Sequence, residues 1–230
     1  MRIWDVPAGY LSRQSLLGEH RELHGLHSIL VHGKRGYSRH PETLRWVGCA
    51  AALIRRHDLL AAEMRLRGYT DRTPLVSVGR TRWPSVFVTS PVEQYALLKF
   101  KYGPDVSGRI RLPRTTQELW AQHKYSVMAR DPGRYRDLGR ETARLRARAS
   151  FTELAEELTV LLRQPPRGGR LGTAVEHMWG YVSRSADPAE RKAARRSLAA
   201  LLRLTQQLAV RQAERYLLAS TALSELSLYA

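Results

Sequence analysis

Leucines recur every seven residues near the beginning of the chain, at Leu16, Leu23 and Leu30. This spacing places apolar side chains on one face of a helix. Ser12 is of the residue type that caps helix N-termini, and Gly33 is of the type that ends helices. The pattern therefore predicts a helix over residues 12–31.

A second helix is predicted from Pro41 to a stop at Gly68, because proline is favoured in the first turn and glycine after the last. Its buried face is expected to contain Trp46, Leu53, Leu60 and Met64. Residues 70–92 are rich in Pro, Gly, Thr and Ser, which predicts an extended crossing with a short strand at Ser85–Thr89. A shorter helix is predicted from Val92 to Lys101.

Glycine and proline punctuate residues 103–114, which are interpreted as a linker. Thr115 and Glu118 have the spacing of a capping box, and the remainder is predicted to be helical. The predicted helices cover residues 115–130, 134–147, 151–163, 171–184 and 188–227. The expected fold is mainly α, with two helical domains or subdomains (1–102 and 115–230) and little or no sheet.

The chain has 230 residues, of which 38 are Lys or Arg and 21 are Asp or Glu, for a net charge of +17. Residues 1–118 carry 19 basic and 10 acidic residues, and residues 119–230 carry 19 and 11, so both halves are basic. Such a surface attracts polyanions, and the excess is mostly arginine, which pairs with phosphate in bidentate fashion. A nucleic acid is therefore the expected partner.

Cys49 is the single cysteine, so no internal disulfide is possible, and its apolar neighbours predict a core position. No apolar run reaches the roughly 20 residues that cross a bilayer, and the first residues lack a signal-peptide pattern. We expect a monomer in the cytoplasm, associated with the nucleoid and not with a membrane.

Acidic and histidine side chains are densest on the first predicted helix, and three interpretations stay open. A metal site could use His20, His24 and His27, with His57 or Glu63 as a further ligand. The histidines could instead be ordinary polar groups at the core edge. The third interpretation is an amine-and-carboxylate site, and it depends on a resemblance.

Several short segments, in order, resemble the phage endonuclease V family of pyrimidine-dimer DNA glycosylases over roughly residues 1–75, more weakly to about 100. The helix segment 18–23 is similar to the family's Glu-Tyr-Arg-Glu-Leu stretch. The matching segments are Met1-Arg2-Ile3, Gly18-Glu19-His20-Arg21-Glu22-Leu23, Gly33-Lys34-Arg35, Pro41 with Gly48, and Arg67-Gly68-Tyr69.

This resemblance implies a catalytic pair, the α-amine of Met1 and the carboxylate of Glu22. An α-amine has an ordinary pKa near 8, so much of it is an unprotonated nucleophile at neutral pH. Arg2 is too bulky for normal methionine removal, so Met1 is expected to stay at the position of the family's mature terminus. The resemblance also implies DNA contacts by Arg2, Arg21, Lys34 and Arg35, with no cofactor and no metal.

One departure from the family concerns Gly25, where the family has a further arginine on this helix, so one DNA contact is lost or moved. Cyclobutane dimers in double-stranded DNA are the substrate that the resemblance implies. Another damaged base would use the same chemistry. Either lesion requires a nucleotide to be unstacked before its C1′ is reached.

The second half is similar to an uncharacterised helical domain family that occurs alone, near photolyase genes and fused to thiouracil desulfidases. The similar segments are residues 119–130, the loop Pro165-Pro166-Arg167-Gly168, and residues 177–181. This implies a nucleic-acid context and no particular reaction. Arg167 and Arg170, beside the Gly168-Gly169 amides, are candidate phosphate contacts, although a solvated turn explains them equally well.

Three functions follow from these observations. The first is a metal-independent DNA glycosylase with AP-lyase activity that works through a Schiff base. The alternative is a non-catalytic nucleic-acid-binding accessory protein in DNA repair or RNA modification. A histidine-dependent metal hydrolase is the third.

Overall fold

The first long helix begins and ends where the sequence predicts. In the computed structural model, which describes residues 1–76, 79–144 and 150–230, helix α1 spans Arg13–His32. The Ser12 side chain accepts a hydrogen bond from the peptide N–H of Ser15, and Gly33 ends the helix at φ 62°. Leu16 and Leu23 are fully buried.

The second predicted helix is wrong as a continuous element, because the structure divides it. Helix α2 spans Pro41–Arg45 and helix α3 spans Ala50–Leu66, separated by a turn. Gly48 adopts φ 73° in this turn, a left-handed conformation that stops a right-handed helix. The four positions expected on the buried face are nevertheless all buried.

The region between α3 and the next helix is irregular. The strand predicted at Ser85–Thr89 is wrong: these residues form no strand. Residues 77–78 of the predicted crossing lie outside the described residues. Helix α4 then spans Pro91–Tyr102, and Ser90 and Glu93 form a full capping box at its start.

The described chain forms two compact units, Met1–Gly108 and Arg109–Ala230. In the first unit, α1 packs against α3, and a short 3₁₀ turn at Ala8–Tyr10 packs on α3. The boundary falls inside the predicted linker, but part of that linker is ordered against the second unit. Ile110 is fully buried, and the Arg109 guanidinium donates hydrogen bonds to Leu218 O and Ser220 O.

Helix α5 is the centre of the second unit. The Thr115 side chain caps this helix by accepting a hydrogen bond from the peptide N–H of Glu118. The Glu118 carboxylate accepts its hydrogen bond from the peptide N–H of Arg114 and not from that of Thr115. The predicted capping box is thus only half formed. Helices α6, α7 and α8 all pack against α5. The bounds are α5 Thr116–Met128, α6 Pro132–Arg144, α7 Phe151–Leu162 and α8 Arg170–Gly180.

Residues 145–147, which the sequence assigns to the predicted helix 134–147, lie outside the described residues. The helix predicted at 171–184 ends at Gly180 and is followed by a 3₁₀ turn, Ser183–Ser185.

The long last helix predicted over 188–227 is wrong, because four short helices occupy this region. Its start is correct: Asp187 and Glu190 form a capping box, with Pro188 in the first turn. The helices are α9 Pro188–Ala194, α10 Leu198–Arg211, α11 Arg215–Leu218 and α12 Ala222–Glu225, followed by a 3₁₀ turn at Leu226–Leu228. Ala213 at φ 52° marks one of the breaks.

The predicted fold class is confirmed. The described residues contain twelve α-helices and three 3₁₀ turns, and none of them forms a strand. Among these residues, no helix combines the length and the apolar character that a membrane crossing requires.

Candidate functional site

The first six residues form an irregular N-terminal segment that side chains of four helices hold in place. Peptide groups of the segment, which would otherwise lack partners away from water, hydrogen-bond to these side chains. The bonds are Trp4 N–H to Glu19 Oε1 (3.0 Å), Asp5 N–H to Gln94 Oε1 (2.7 Å), Arg45 Nη2 to Ile3 O (2.9 Å) and Arg56 Nη1 to Val6 O (2.9 Å).

A buried ion pair stabilises this arrangement at its centre. Arg56 on α3 donates Nε and Nη2 to the two carboxylate oxygens of Glu19 on α1, each at 2.8 Å. Burial raises the pKa of Glu19, and the positive charge of Arg56 opposes that shift. Glu19 therefore connects three parts of the first unit: the N-terminal segment, α1 and α3.

Glu22 lies one helical turn beyond Glu19 and contacts the very start of the chain. Its Oε2 accepts a hydrogen bond of 2.5 Å from the peptide N–H of Arg2. Successive backbone nitrogens are at most about 3.7 Å apart, so the Met1 nitrogen lies within about 6 Å of this carboxylate oxygen. Glu22 is exposed and Met1 is half-buried, which leaves both open to a ligand from solvent.

Two arginines flank this pair. The Arg2 guanidinium lies over the ring of Trp4, 5.1 Å from its centroid, and donates to Thr89 Oγ1 at 3.2 Å. Arg21 precedes Glu22 on α1 and is exposed. The structure thus brings Met1, Arg2 and Glu22 together on the first unit, and Arg21 is the neighbour of Glu22 along α1.

The other predicted DNA contacts lie elsewhere. Lys34 and Arg35 are exposed in the turn that follows α1. In the second unit, Arg167 is exposed in the loop before α8, whereas the Arg170 guanidinium donates to Arg130 O at 2.8 Å. Part of the Arg170 donor capacity is therefore used within the protein.

A basic cleft in the second unit contains none of the predicted site residues. Its volume is about 650 Å³, and it lies between α8, α9 and α10. An indole, three guanidinium groups and one carboxylate line it. They belong to Trp179, Arg184, Arg191, Arg195 and Glu176.

A histidine cluster lies on a different side of α1. His20 and His24 from α1 meet His57 from α3, with ring centroids 4.7 to 5.0 Å apart. Asp71 places one oxygen 3.4 Å from His20 Nε2 and the other 3.5 Å from His57 Nε2. Desolvation by burial lowers the pKa of His20 and of His24, and charge on neighbouring histidines lowers both further.

Sequence reasoning named Met1 and Glu22, whose catalytic roles stay a prediction, but it missed the residues that hold the chain start in position. Glu19 and Arg56 are 37 positions apart and carry no motif, so only the fold reveals their pairing. Asp71 was also missed. The one available signal for the histidine cluster was the four-residue spacing of His20 and His24, to which the sequence reasoning added His57 among possible third ligands.

Comparisons with known families match the two halves of the chain separately. Residues 1–76 match the family described as pyrimidine dimer DNA glycosylase, and residues 124–225 match a family described as a protein of unknown function (DUF1722). These matches confirm the two-part resemblance predicted from the sequence. The first supports a role like that of a pyrimidine dimer DNA glycosylase, with DNA as the substrate. No curated protein and no solved structure matches the chain.

Proposed function

We propose that this protein is a DNA glycosylase with AP-lyase activity on damaged pyrimidines, cyclobutane dimers being the expected lesion. The α-amine of Met1 is the nucleophile, and Glu22 is the group that handles protons. The observation that carries this proposal is the hydrogen bond between the Arg2 N–H and Glu22, which keeps the beginning of the chain beside a carboxylate.

The chemistry requires both groups at one place. The unprotonated Met1 amine forms a bond to C1′ of the damaged nucleotide, and the bond from C1′ to the base breaks. The base leaves with the electron pair and takes up a proton. Opening of the sugar ring converts the C1′–N bond into a protonated imine. A base then removes a C2′ proton, and the 3′ phosphate leaves by β-elimination.

Glu22 is suited to the charge and proton steps. As a carboxylate it stabilises the positive charge that develops on the sugar, and as a base it accepts the C2′ proton. None of these steps uses a metal at the reacting atoms. Arg2 and Arg21, next to the pair, bind the phosphates around the lesion, and Lys34, Arg35, Arg167 and Arg170 are proposed as further DNA contacts.

Covalent trapping tests the proposal. The untagged protein, with its intact mass showing that Met1 is its first residue, is incubated with an ultraviolet-irradiated duplex and borohydride. Reduction of the imine is expected to leave a stable protein–DNA adduct, and peptide mapping should place the link at residue 1. An adduct at a lysine side chain, or none on either irradiated or abasic DNA, would overturn the assignment.

Glu22→Gln is the matched test of the carboxylate. The amide oxygen can still accept the Arg2 N–H, so the terminus keeps its position while the charge and the base are lost. Strand cleavage is expected to fall at least about 100-fold while duplex binding is largely retained. Asp105→Asn removes an equal charge from an exposed site in the same unit and should leave cleavage unchanged.

The non-catalytic alternative predicts a different outcome. A binding accessory protein would hold duplex DNA in a salt-sensitive manner. It would form no adduct, and acetylation of the Met1 amine would not change its affinity. Trapping followed by acetylation therefore separates the two functions in one series of measurements.

A further inference from the structure

Three imidazole rings and one carboxylate converge where α1 packs against α3. One ring nitrogen from each of His20, His24 and His57 lies within 4.8 Å of the others. The carboxylate comes from Asp71, in the segment that follows α3. His57 is 1% exposed, and Asp71 and His20 are mostly buried.

Two nitrogens in this cluster have no hydrogen-bond partner. His20 Nε2 and His57 Nε2 are both buried without one, even though an Asp71 oxygen lies 3.4 or 3.5 Å from each. These distances fall beyond the normal range of N–H···O bonds. Buried polar atoms are rarely left unpaired, because their desolvation is then not compensated. A shared ligand between them would satisfy both.

The distances suit a metal ion better than hydrogen bonds. Zinc binds imidazole nitrogen and carboxylate oxygen at about 2.0–2.1 Å in a tetrahedron, whose edges are then about 3.3–3.4 Å. The distance from one Asp71 oxygen to His20 Nε2, 3.4 Å, is already the length of such an edge, and the other Asp71 oxygen lies 3.5 Å from His57 Nε2. To bind one ion, the separations between the histidine nitrogens, up to 4.8 Å, must shorten, and one Asp71 oxygen must move toward all three nitrogens; side-chain rotation can supply both changes.

We infer that this cluster binds one divalent transition-metal ion through His20, His24, His57 and Asp71. Three imidazoles and one carboxylate form a donor set that favours zinc among the common intracellular cations, because calcium and magnesium prefer oxygen. Thr73 supports the set from outside: its N–H donates to Asp71 at 2.9 Å, and its hydroxyl lies 3.0 Å from His24 Nε2. Such outer contacts orient metal ligands.

The site is separate from the proposed catalytic pair. Glu22 is two residues from both His20 and His24, and two residues correspond to about 200° of rotation on an α-helix. The Glu22 side chain therefore projects from the side of α1 opposite to the histidines. Four protein ligands close a zinc site, which is typical of a structural role. The ion therefore ties α1, α3 and the segment after α3 together, while Glu22 keeps its contact with the chain start.

Metal analysis of the full-length, untagged protein tests this inference. After loading with zinc and extensive dialysis, we expect about one zinc per chain, the stoichiometry of a single closed site. His24→Asn, His57→Asn and Asp71→Asn should each lose most of this zinc. His27→Asn is the matched control, since His27 lies on the same face of α1, one turn further, outside the ligand set, and it should keep its zinc.

Two further measurements make the result decisive. X-ray absorption of the zinc-loaded protein should show a nitrogen and oxygen shell at about 2.0–2.1 Å with imidazole scattering. Added zinc should raise the Tm of the wild type and of His27→Asn, but not that of Asp71→Asn. If His57→Asn fails to fold, the variants at the less buried positions His24 and Asp71 still show whether the cluster binds zinc.

A wild-type chain that retains no zinc, or ligand variants that all retain it, would overturn the inference. These readouts do not depend on DNA. A protein that binds zinc but forms no borohydride adduct would leave this site standing and remove the proposed lyase, and the converse result would do the opposite.

Discussion

At the scale of single residues, the position of the chain start depends on charged groups that are buried in pairs. Glu19 and Arg56 satisfy each other and also bind peptide groups of residues 4 and 6. A buried charge that loses its partner is costly, since nothing replaces the lost hydration. The residues that position the site are therefore also the residues on which the stability of the first unit depends.

Removing Arg56 should have a large effect on stability. Arg56→Leu leaves the Glu19 carboxylate buried without its partner, so the free energy of unfolding should fall by about 3–5 kcal/mol. Urea denaturation measures this. The control is Arg65→Leu, because Arg65 is exposed on the same helix, and substitutions at such surface positions usually change stability by no more than about 0.5 kcal/mol. Equal losses in the two variants would contradict this account of the buried pair.

A second buried residue makes the stability depend on pH. Burial lowers the pKa of His123 to about 4, whereas in the unfolded chain it is near 6.5. Between these values the unfolded state binds more protons, so stability is full above about pH 6.5 and is lost as the pH falls toward 4. The loss reaches about 3 kcal/mol from this group.

His123→Leu should weaken that dependence. The variant carries no titrating group at this position, so its unfolding free energy should change less between pH 6.5 and pH 4 than that of the wild type. Other histidines with lowered pKa are present in both proteins and cancel in the comparison: His20, His24 and His27. If the unfolding free energies of the two proteins change in parallel with pH, His123 is not the source of the pH dependence.

At the scale of elements, caps and left-handed residues decide where helices begin and end. Ser12, Ser90 and Asp187 each accept a hydrogen bond from the first turn of the helix that follows. Gly33 and Gly48 adopt positive φ and terminate helical segments. The break at Gly48 separates α2, whose Arg45 contacts the N-terminal segment, from α3, which carries Arg56 and His57.

Two glycine replacements should change stability in opposite directions. Gly48→Ala forces a side chain into the left-handed region and should destabilise the protein by roughly 1–2 kcal/mol. Gly25→Ala lies inside α1, where a Cβ meets no atom within 4 Å, and should stabilise it by about 0.5–1 kcal/mol. Thermal unfolding measures both, and a gain at Gly48 would show that the turn does not require φ 73°.

At the scale of the whole molecule, positive charge is spread over both halves of the chain and not confined to a tail. Binding of DNA by such a surface releases counterions, so affinity falls as salt rises. Some cations are neutralised internally. Arg211, for example, contacts both carboxylate oxygens of Glu190, at 2.9 and 3.2 Å, whereas Arg195 lines the basic cleft.

This difference predicts which arginines contribute to binding. If the cleft contacts phosphate, Arg195→Ser should reduce the slope of log K against log salt by about 0.9, the value for one phosphate contact. Arg211→Ser removes the same net charge but breaks an internal pair, so its slope should equal that of the wild type. Titration of a fluorescent duplex over several salt concentrations measures both slopes, and identical slopes would exclude Arg195 from the interface.

Much of this protein could be predicted from its sequence, because the relevant signals are local. Helical fold class, the caps at Ser12, Thr115 and Asp187, and the basic surface follow from residue type and short-range spacing. The pair Met1 and Glu22 was named from a family resemblance. The continuous helices predicted at 41–68 and 188–227 were wrong, because apolar periodicity continues through breaks that packing and single left-handed residues impose.

Only the tertiary structure decided which distant residues meet. Glu19 reaches Arg56 across 37 positions, and His20 reaches Asp71 across 51, and no pattern along the chain encodes either distance. Local propensities set each helix by itself, but the packing of α1 on α3 determines which of their faces join. That packing places the chain start beside Glu22 on one side of α1 and the histidine cluster on the other.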